Sequence, residues 1–167
     1  MDARTAIDQI TARIDVGNPM SVSELQTLAN SVDAGIGNST LLLYSGGIGE
    51  IVDSDRGVRS YAARDIAENL ADGSTIKTIA NTQIGEFLKS QEFRDSLNAA
   101  AISEGKDFDA LYLGRNENGA RINNNSFWDV ASARLVNGHA GDFHLIMPNA
   151  PDDSVAIKTE IPALLNK

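Results

Sequence analysis

The hydrophobic pattern of this chain changes near Gly105 from helical spacing to short apolar runs, and this change constrains the fold more than any other feature. Apolar residues before Gly105 recur every three to four positions, as they do in amphipathic helices. The runs after it have the length and composition of strands. We therefore predict one α/β (α+β) domain over residues 1–167, in which a mainly helical subregion, 1–104, packs on a small, mainly parallel sheet with flanking helices in an α/β subregion, 105–167.

Individual elements follow from the same patterns. The chain up to Gly37 has the spacing of two amphipathic helices, and residues 60–97 have helical spacing again. A further helix, capped by Asn125 or Ser126, is predicted to end near Val136. Strands are predicted at 108–113, 143–147 and 155–161, and an Asn- and Gly-rich loop at 114–125.

Composition excludes several classes of function. With 14 Lys and Arg against 23 Asp and Glu, the net charge is −9, and we expect no nucleic-acid partner because a phosphate backbone would be repelled. No apolar run approaches the ~20 residues that cross a bilayer, and the charged N-terminus lacks a signal-peptide pattern, so we expect no membrane partner. The absence of Cys and the presence of only two His exclude disulfides, thiol catalysis and an all-His metal site.

Three places combine polar or aromatic side chains with loop-like sequence. The first follows the apolar run 41–44 and enters a glycine-rich stretch, where the backbone can approach a ligand closely. These glycines lack the spacing of a nucleotide-binding loop. The candidate site residues are Tyr44 and Ser45 at the first place, Trp128, Ser132 and Arg134 at the second, and Ser154, Thr159 and Glu160 at the third.

Each of these places also has an ordinary structural explanation. A single Trp at the start of a helix, such as Trp128, is typical of a core anchor. A Glu at the end of a strand, such as Glu160, is usually solvated. His144 lies inside an apolar strand, which fits a core histidine with hydrogen-bonded ring nitrogens better than it fits a general base.

The order and spacing around the second place resemble the ADP-ribosyl cyclase and NAD glycohydrolase family. In that family a Phe-Trp pair is followed, four residues after the Trp, by a Ser and then by a hydrophobic strand with a His. Trp128, Ser132 and His144 have matching spacing. The resemblance implies that this segment forms one side of an NAD site.

Other segments are similar to the same family, in the same order along the chain. Residues 42–46 resemble its Leu-Leu-Trp-Ser-Arg element, and 154–160 resemble its Ser- and Thr-rich loop that ends in a catalytic Glu. Residues 78–82, with Gly85, resemble its Thr-Leu-Glu-Asp-Thr helix. Together the similar segments extend from about 41 to 163.

The chain departs from the family pattern at several positions. The animal enzymes have several disulfides and this chain has none, so its fold must be held by core packing, and a reducing compartment is expected. Tyr44 replaces a Trp, and Gly46 replaces the Arg that follows. Ala80 replaces an acidic residue that partitions the intermediate in the family, so the choice between cyclisation and hydrolysis stays open.

The resemblance implies a cyclase-like fold and an enzyme that cleaves the nicotinamide–ribose bond of NAD to nicotinamide plus ADP-ribose, cyclic ADP-ribose or both. It implies that Glu160 and Trp128 are catalytic, with Glu160 stabilising the positive charge that develops on the ribose. NAD is then a substrate, and neither a bound cofactor nor a metal is expected. The implied substrate-binding residues, which stack on nicotinamide or bind ribose and phosphate, are Tyr44, Ser45, Ser132, Arg134, Ser154 and Thr159.

A small enzyme that consumes NAD would harm any cell that made it freely. We therefore expect a bacterial toxin or effector that is cytoplasmic, or is delivered to a target-cell cytoplasm by a specialised secretion system, with an immunity protein as partner. Two other functions stay open. The changes at Tyr44, Gly46 and Ala80 are compatible with a nucleotide-binding module without turnover, and His139 or His144 could serve a ribonuclease-type toxin.

Overall fold

The computed structural model describes residues 1–44, 48–53, 57–147 and 156–166, and only the backbone of 48–53, 57–62 and 156–157. In these ranges the chain forms both helices and strands. The α-helices are α1 (Ala3–Asp15), α2 (Val22–Ser31), α3 (Ala63–Leu70), α4 (Gln83–Lys89), α5 (Gln91–Ser103), α6 (Phe108–Tyr112), α7 (Phe127–Gly138) and α8 (Ile161–Leu165). The strands are β1 (Thr40–Tyr44), β2 (Ile48–Asp53), β3 (Gly57–Ala62), β4 (Ile76–Lys77) and β5 (Phe143–Ile146). A 3₁₀ turn spans Ile79–Asn81, and a π-helical turn spans Ala156–Glu160.

Side-chain caps determine where the main helices begin. Ser21 starts α2 with a capping box, in which its hydroxyl accepts from the Glu24 backbone N–H and the Glu24 carboxylate accepts from the Ser21 N–H. Ser126 and Asp129 form the same arrangement at the start of α7. Each cap satisfies backbone donors that have no partner within the helix. The predicted helices before Gly37 and after Ser126 are confirmed.

A three-stranded parallel sheet lies at the centre of the fold, in the order β4-β1-β5. In β1, Leu41 pairs with Phe143 of β5 and Tyr44 pairs with Ile146, while Thr40 pairs with Ile76 of β4. The three leucines in the middle of β1 are buried, as expected for a central strand covered on both faces. The antiparallel hairpin β2–β3 forms a second sheet.

Two hydrophobic clusters meet at α7. Phe127 and Ala131, near its start, belong to a cluster with α1, α2, α4 and α5. Leu135 and Val136, further along, belong to a cluster with the sheet residues Leu41 and Leu43. Helix α7 therefore connects the helical layer to the sheet.

Gly85 allows α4 to pack against the turn before it. A Cβ at this position would lie 2.0 Å from the Ile79 carbonyl oxygen, far inside van der Waals contact. The approach is thus possible only for glycine. The absence of a side chain at Gly85 therefore lets α4 lie directly against the 3₁₀ turn.

The mixed helix-and-sheet class is confirmed, but the predicted location of the sheet is wrong. Strands β1 and β4 come from the part of the chain before Gly105. Strand β4 has only two residues, too few for an alternation pattern. The apolar run 41–44 is too short to indicate a strand by itself, and it forms β1 because it pairs with β5 about 100 residues later. The predicted strand at 143–147 is confirmed as β5.

Two predicted strands are helical instead. Residues 108–112 form α6, because Asp107 caps the helix by accepting from the Ala110 N–H at 2.7 Å, and Phe108, Leu111 and Tyr112 then face the core. The described part of 155–161 is a π-helical turn that runs into α8. A Pro in the first turn of α8 favours this helix start, and Pro has no N–H for a sheet.

Candidate functional site

The carboxyl edge of the parallel sheet positions the site. Tyr44 is the last residue of β1 and is half-buried, and Thr78 directly follows β4. In open α/β sheets, ligands bind beyond the carboxyl ends of the strands. The predicted site residues Ser45 and Ser154 lie outside the described residues.

Glu160 is a buried acid next to this edge. It is the last residue of the π-helical turn, precedes α8 and is 6% exposed. Burial raises the pKa of Glu160 to about 7, a hydrogen bond from Ser132 opposes this rise, and the negative charge of Asp129 adds to it. The carboxyl group therefore changes its protonation state near neutral pH, as a general acid or base does.

Ser132 and Thr159 connect Glu160 to α7. Ser132 is buried on α7, one turn after Asp129, and its hydroxyl is the hydrogen-bond partner of Glu160. Thr159, the neighbour of Glu160 in the chain, donates from its hydroxyl to Asp129 Oδ1 at 3.2 Å. The turn that contains Glu160 is thus held against α7 by two side chains.

Asp129 is the most densely bonded side chain of the site. It is fully buried, and Arg121 Nη1 donates to its two carboxylate oxygens at 2.9 and 3.1 Å. The Ser126 hydroxyl donates to Oδ2 at 2.6 Å. The Arg121 side chain is itself only 5% exposed, so Arg121 and Asp129 form a buried ion pair.

The loop 114–125 delivers Arg121 to Asp129. Gly114 has a φ of +70°, and a Cβ there would lie 2.7 Å from the Asn123 carbonyl oxygen and 3.1 Å from Asp129 Oδ2. The Asn123 side chain donates to the Ala110 carbonyl at 3.0 Å. The predicted Asn- and Gly-rich loop is therefore confirmed, and it folds closely onto the start of α7.

Tyr44 lies within electrostatic range of both Glu160 and helix α3. Burial raises the pKa of the Tyr44 phenol, the positive charge of Arg64 lowers it, and Glu68 and Glu160 raise it. Arg64 and Glu68 form an exposed ion pair at 2.7 Å on α3. Tyr44 therefore stands between the buried acid and a charged surface.

Two predicted site residues have other contacts. Trp128 packs on the helical cluster, and its ring meets the Tyr112 ring edge-on at 6.1 Å between centroids. The Arg134 guanidinium donates to the Ala29 and Val32 carbonyls at the end of α2, at 3.0 and 2.7 Å. A cavity of about 120 Å³ beside Arg134, between α2 and α7, does not include Glu160. Catalysis by Trp128 and a pyrophosphate contact by Arg134 stay predictions.

The histidines differ from what their sequence context indicates. His144 is exposed on β5, so its interpretation as a core histidine is wrong. His139, the C-cap of α7, is the buried one, and its ring meets the Phe143 ring edge-on at 4.9 Å. Strand β5 is at the edge of the parallel sheet in the order β4-β1-β5, and its two middle residues, His144 and Leu145, are both exposed.

Asp129 and Arg121 are the site residues that sequence reasoning missed. The Ser126-x-x-Asp129 pattern has the spacing of a capping box, which marked this Asp as a helix start. Arg121 lies in a polar loop, where an Arg is normally solvated. The sequence offered one signal for Asp129: it lies at the capping-box position of α7, three residues before Ser132.

Among the helices of the described ranges, none combines the length and apolarity needed to cross a bilayer. Within the same part of the chain, no three His, Asp or Glu side chains group together in a way that could hold a metal ion. Compared with models of known protein families, with curated proteins and with solved structures, the chain has no match.

Proposed function

We propose that the protein cleaves the nicotinamide–ribose bond of NAD, releasing nicotinamide and leaving ADP-ribose, cyclic ADP-ribose or both. One observation carries the proposal: the Glu160 carboxyl group is almost fully buried beside Ser132 and within electrostatic range of Tyr44. Burying an acid without a cationic partner costs free energy. Groups with such perturbed ionisation cluster at functional sites.

The location of the segments that resemble the cyclase family supports the proposal. Residues 42–44 form the end of β1, Thr78 follows β4, and His144 lies in β5. Because parallel strands end at the same edge, the similar segments lie around one edge of the sheet. A cyclase-like fold is part of this proposal.

The chemistry needs a carboxylate near the ribose. Cleavage breaks the bond between ribose C1′ and the pyridinium nitrogen, and the electron pair of that bond neutralises the ring as nicotinamide leaves. Positive charge shifts to the ribose, where the ionised Glu160 stabilises it. Water then adds to C1′ and loses a proton, giving ADP-ribose, or an adenine nitrogen adds and gives the cyclic product.

The substrate itself favours the active form of Glu160. With a pKa of about 7, Glu160 is only partly ionised at neutral pH in the free protein. The pyridinium ring of NAD carries a positive charge, and a nearby opposite charge stabilises the ionised carboxylate. NAD would therefore bring a positive charge to a carboxyl group whose neighbours, among the described side chains, are Ser132 and Asp129.

The other side chains bind and orient. The Ser132 hydroxyl holds the Glu160 carboxylate by a hydrogen bond that favours its ionised form. The half-buried ring of Tyr44 provides a flat surface for the nicotinamide. The catalytic role that the resemblance implies for Trp128 is part of the proposal, while its described contacts are with the helical cluster.

The test is incubation of the purified protein with NAD, with nicotinamide release measured and the products separated by chromatography. We expect Glu160→Gln to lower kcat by about 100-fold or more, the scale of a lost electrostatic group. Glu117→Gln, at an exposed loop position, is the matched control and retains the wild-type rate. No NAD loss with the wild-type protein would refute the enzyme, and NAD binding without loss would indicate a binding module instead.

We extend the proposal to biological role: the protein acts as a bacterial toxin or effector, and an immunity protein neutralises it. An NAD-consuming enzyme without a regulator would exhaust a cofactor that every cell needs. Expression of the wild-type chain in bacteria should stop growth and lower cellular NAD, whereas the Glu160→Gln variant should do neither. Equal growth of the two strains, at equal protein levels, would contradict this role.

A further inference from the structure

We propose that Asp129 is a positioning residue for Glu160: it fixes the turn that contains Glu160 and presents a negative charge to it. The inference rests on the proposed function for its effect on catalysis. Asp129 is fully buried and bonded on three sides, by Arg121, Ser126 and Thr159. Asp129 has no role in the NAD binding and cleavage steps proposed above.

Asp129 connects three separate segments of the chain. Arg121 comes from the loop 114–125, Ser126 from the start of α7, and Thr159 from the π-helical turn. Since Thr159 is the neighbour of Glu160, its bond to Asp129 limits the movement of the Glu160 carboxyl group. The loop 114–125 thereby influences the position of Glu160 through the Asp129 carboxylate, which Arg121 and Thr159 both contact.

Stability alone does not explain this arrangement. A helix cap can be exposed, as Glu24 is at the start of α2, and needs no buried Arg. Replacing a buried ion pair with well-packed hydrophobic residues of similar volume is often neutral or stabilising. Placing the pair beside a second buried acid adds repulsion between like charges.

Repulsion between Asp129 and the ionised Glu160 is useful at a site that binds a positively charged ring. Among the side chains that the structure describes, the charged and titratable groups that face Glu160 are Asp129 from α7, with its partner Arg121, and Tyr44 from β1. A fixed negative charge behind Glu160 keeps its proton on until a positive ring arrives. Asp129 thus links ionisation of Glu160 to the presence of the substrate.

Three variants separate the electrostatic and mechanical parts. Asp129→Asn removes the charge, and the double variant Arg121→Gln/Asp129→Asn does so without leaving a buried Arg charge, in case the single variant fails to fold. Thr159→Val removes only the hydroxyl that joins the turn to Asp129. The exposed ion pair Arg4–Asp8 on α1 provides the matched control, Arg4→Gln/Asp8→Asn.

The readout is the pH dependence of kcat/KM for NAD, whose acid limb follows Glu160 in the free enzyme. We expect the limb to move to lower pH by at least half a unit in the Asp129 variants. Ser132→Ala should move it to higher pH, because the lost hydrogen bond favoured the ionised form. Thr159→Val should leave the limb in place and lower kcat, by up to about 100-fold if the carboxyl group is displaced.

A second measurement needs no substrate. Urea unfolding at pH 5 and pH 8 reports the ionisation of Glu160 through the pH dependence of stability. The double variant should show a smaller loss of stability between these pH values than the wild type and the Arg4→Gln/Asp8→Asn control. If NAD is not consumed but this difference appears, the proposed function fails and the role of Asp129 stands. An unchanged acid limb and unchanged pH dependence in the double variant would overturn the inference.

Discussion

Replacing Glu160 by Gln should make the protein more stable while it abolishes the proposed cleavage of NAD. The folded protein holds a carboxyl group whose pKa burial raises from 4.5 to about 7. Between these pH values the folded state binds a proton that the unfolded chain has released, so the free energy of unfolding falls as the pH rises. A neutral amide at the same position has no such dependence and retains a partner in Ser132.

The magnitude follows from the two pKa values. For a group with a pKa of 4.5 in the unfolded chain and about 7 in the folded protein, the wild type loses roughly 2.5 kcal/mol of stability from pH 5 to pH 8 through this group. Most of the loss occurs between pH 4.5 and 7, and little follows above it. At pH 8 the Glu160→Gln variant should exceed the wild type by about 3 kcal/mol.

The assay is urea unfolding of both proteins at pH 5, 6, 7 and 8, followed by circular dichroism. With a urea dependence of about 1–3 kcal/mol per molar, the difference between the two midpoints should widen by roughly 1 M from pH 5 to pH 8. Glu117→Gln removes an exposed carboxylate and should follow the wild type. Parallel pH profiles for the wild type and Glu160→Gln would refute the reasoning, because Glu160 would then titrate in the fold as it does in the unfolded chain.

Three further predictions concern activity and packing. The kcat/KM for NAD should rise with pH through about 7 and level off above it. The corresponding limb of kcat should lie at lower pH, because bound NAD favours the ionised Glu160. Steady-state rates from pH 5 to 9 test both expectations. Gly85→Ala should lower stability by about 1–3 kcal/mol, because its Cβ would lie 2.0 Å from the Ile79 oxygen, whereas Gly138→Ala has open space and should not; thermal unfolding compares them. Arg134→Met should lower stability by about 2 kcal/mol through two lost bonds to α2, and an increase in KM for NAD at unchanged stability would show instead that Arg134 binds substrate.

Local signals predicted the elements that are defined by local interactions. Helix α7 was predictable because Ser126 caps it and because apolar residues follow at helical spacing. Strand β5 was predictable from its apolar run. Residues 108–112 have the composition of a strand, but the Asp107 cap and packing against the helical cluster make them helical. Propensity is a weak prior when tertiary packing decides.

In the candidate site, too, some residues could be predicted from the sequence and others could not. Glu160, Ser132 and Tyr44 could be chosen from the order of short segments, and the fold brings these three near each other. Arg121 and Asp129 could not be chosen, because their pairing joins a polar loop to a helix cap and depends on burial, which no local pattern encodes. The predicted residues carry the side chains that the proposed reaction uses. The missed residues, Arg121 and Asp129, make the buried contacts that position them.

The burial of Glu160 differs from that of the neighbouring acid Asp129. A structural buried acid is normally paired with a cation, as Asp129 is with Arg121 at 2.9 Å. Glu160 has a Ser and a second acid as its main neighbours, and the result is a pKa of about 7. Above that pH the fold is less stable than it would be with an amide, and the cost is recovered only when a positive group binds beside the carboxylate. An arrangement that is unfavourable without a ligand and favourable with a cationic one is what a site for the pyridinium ring of NAD requires.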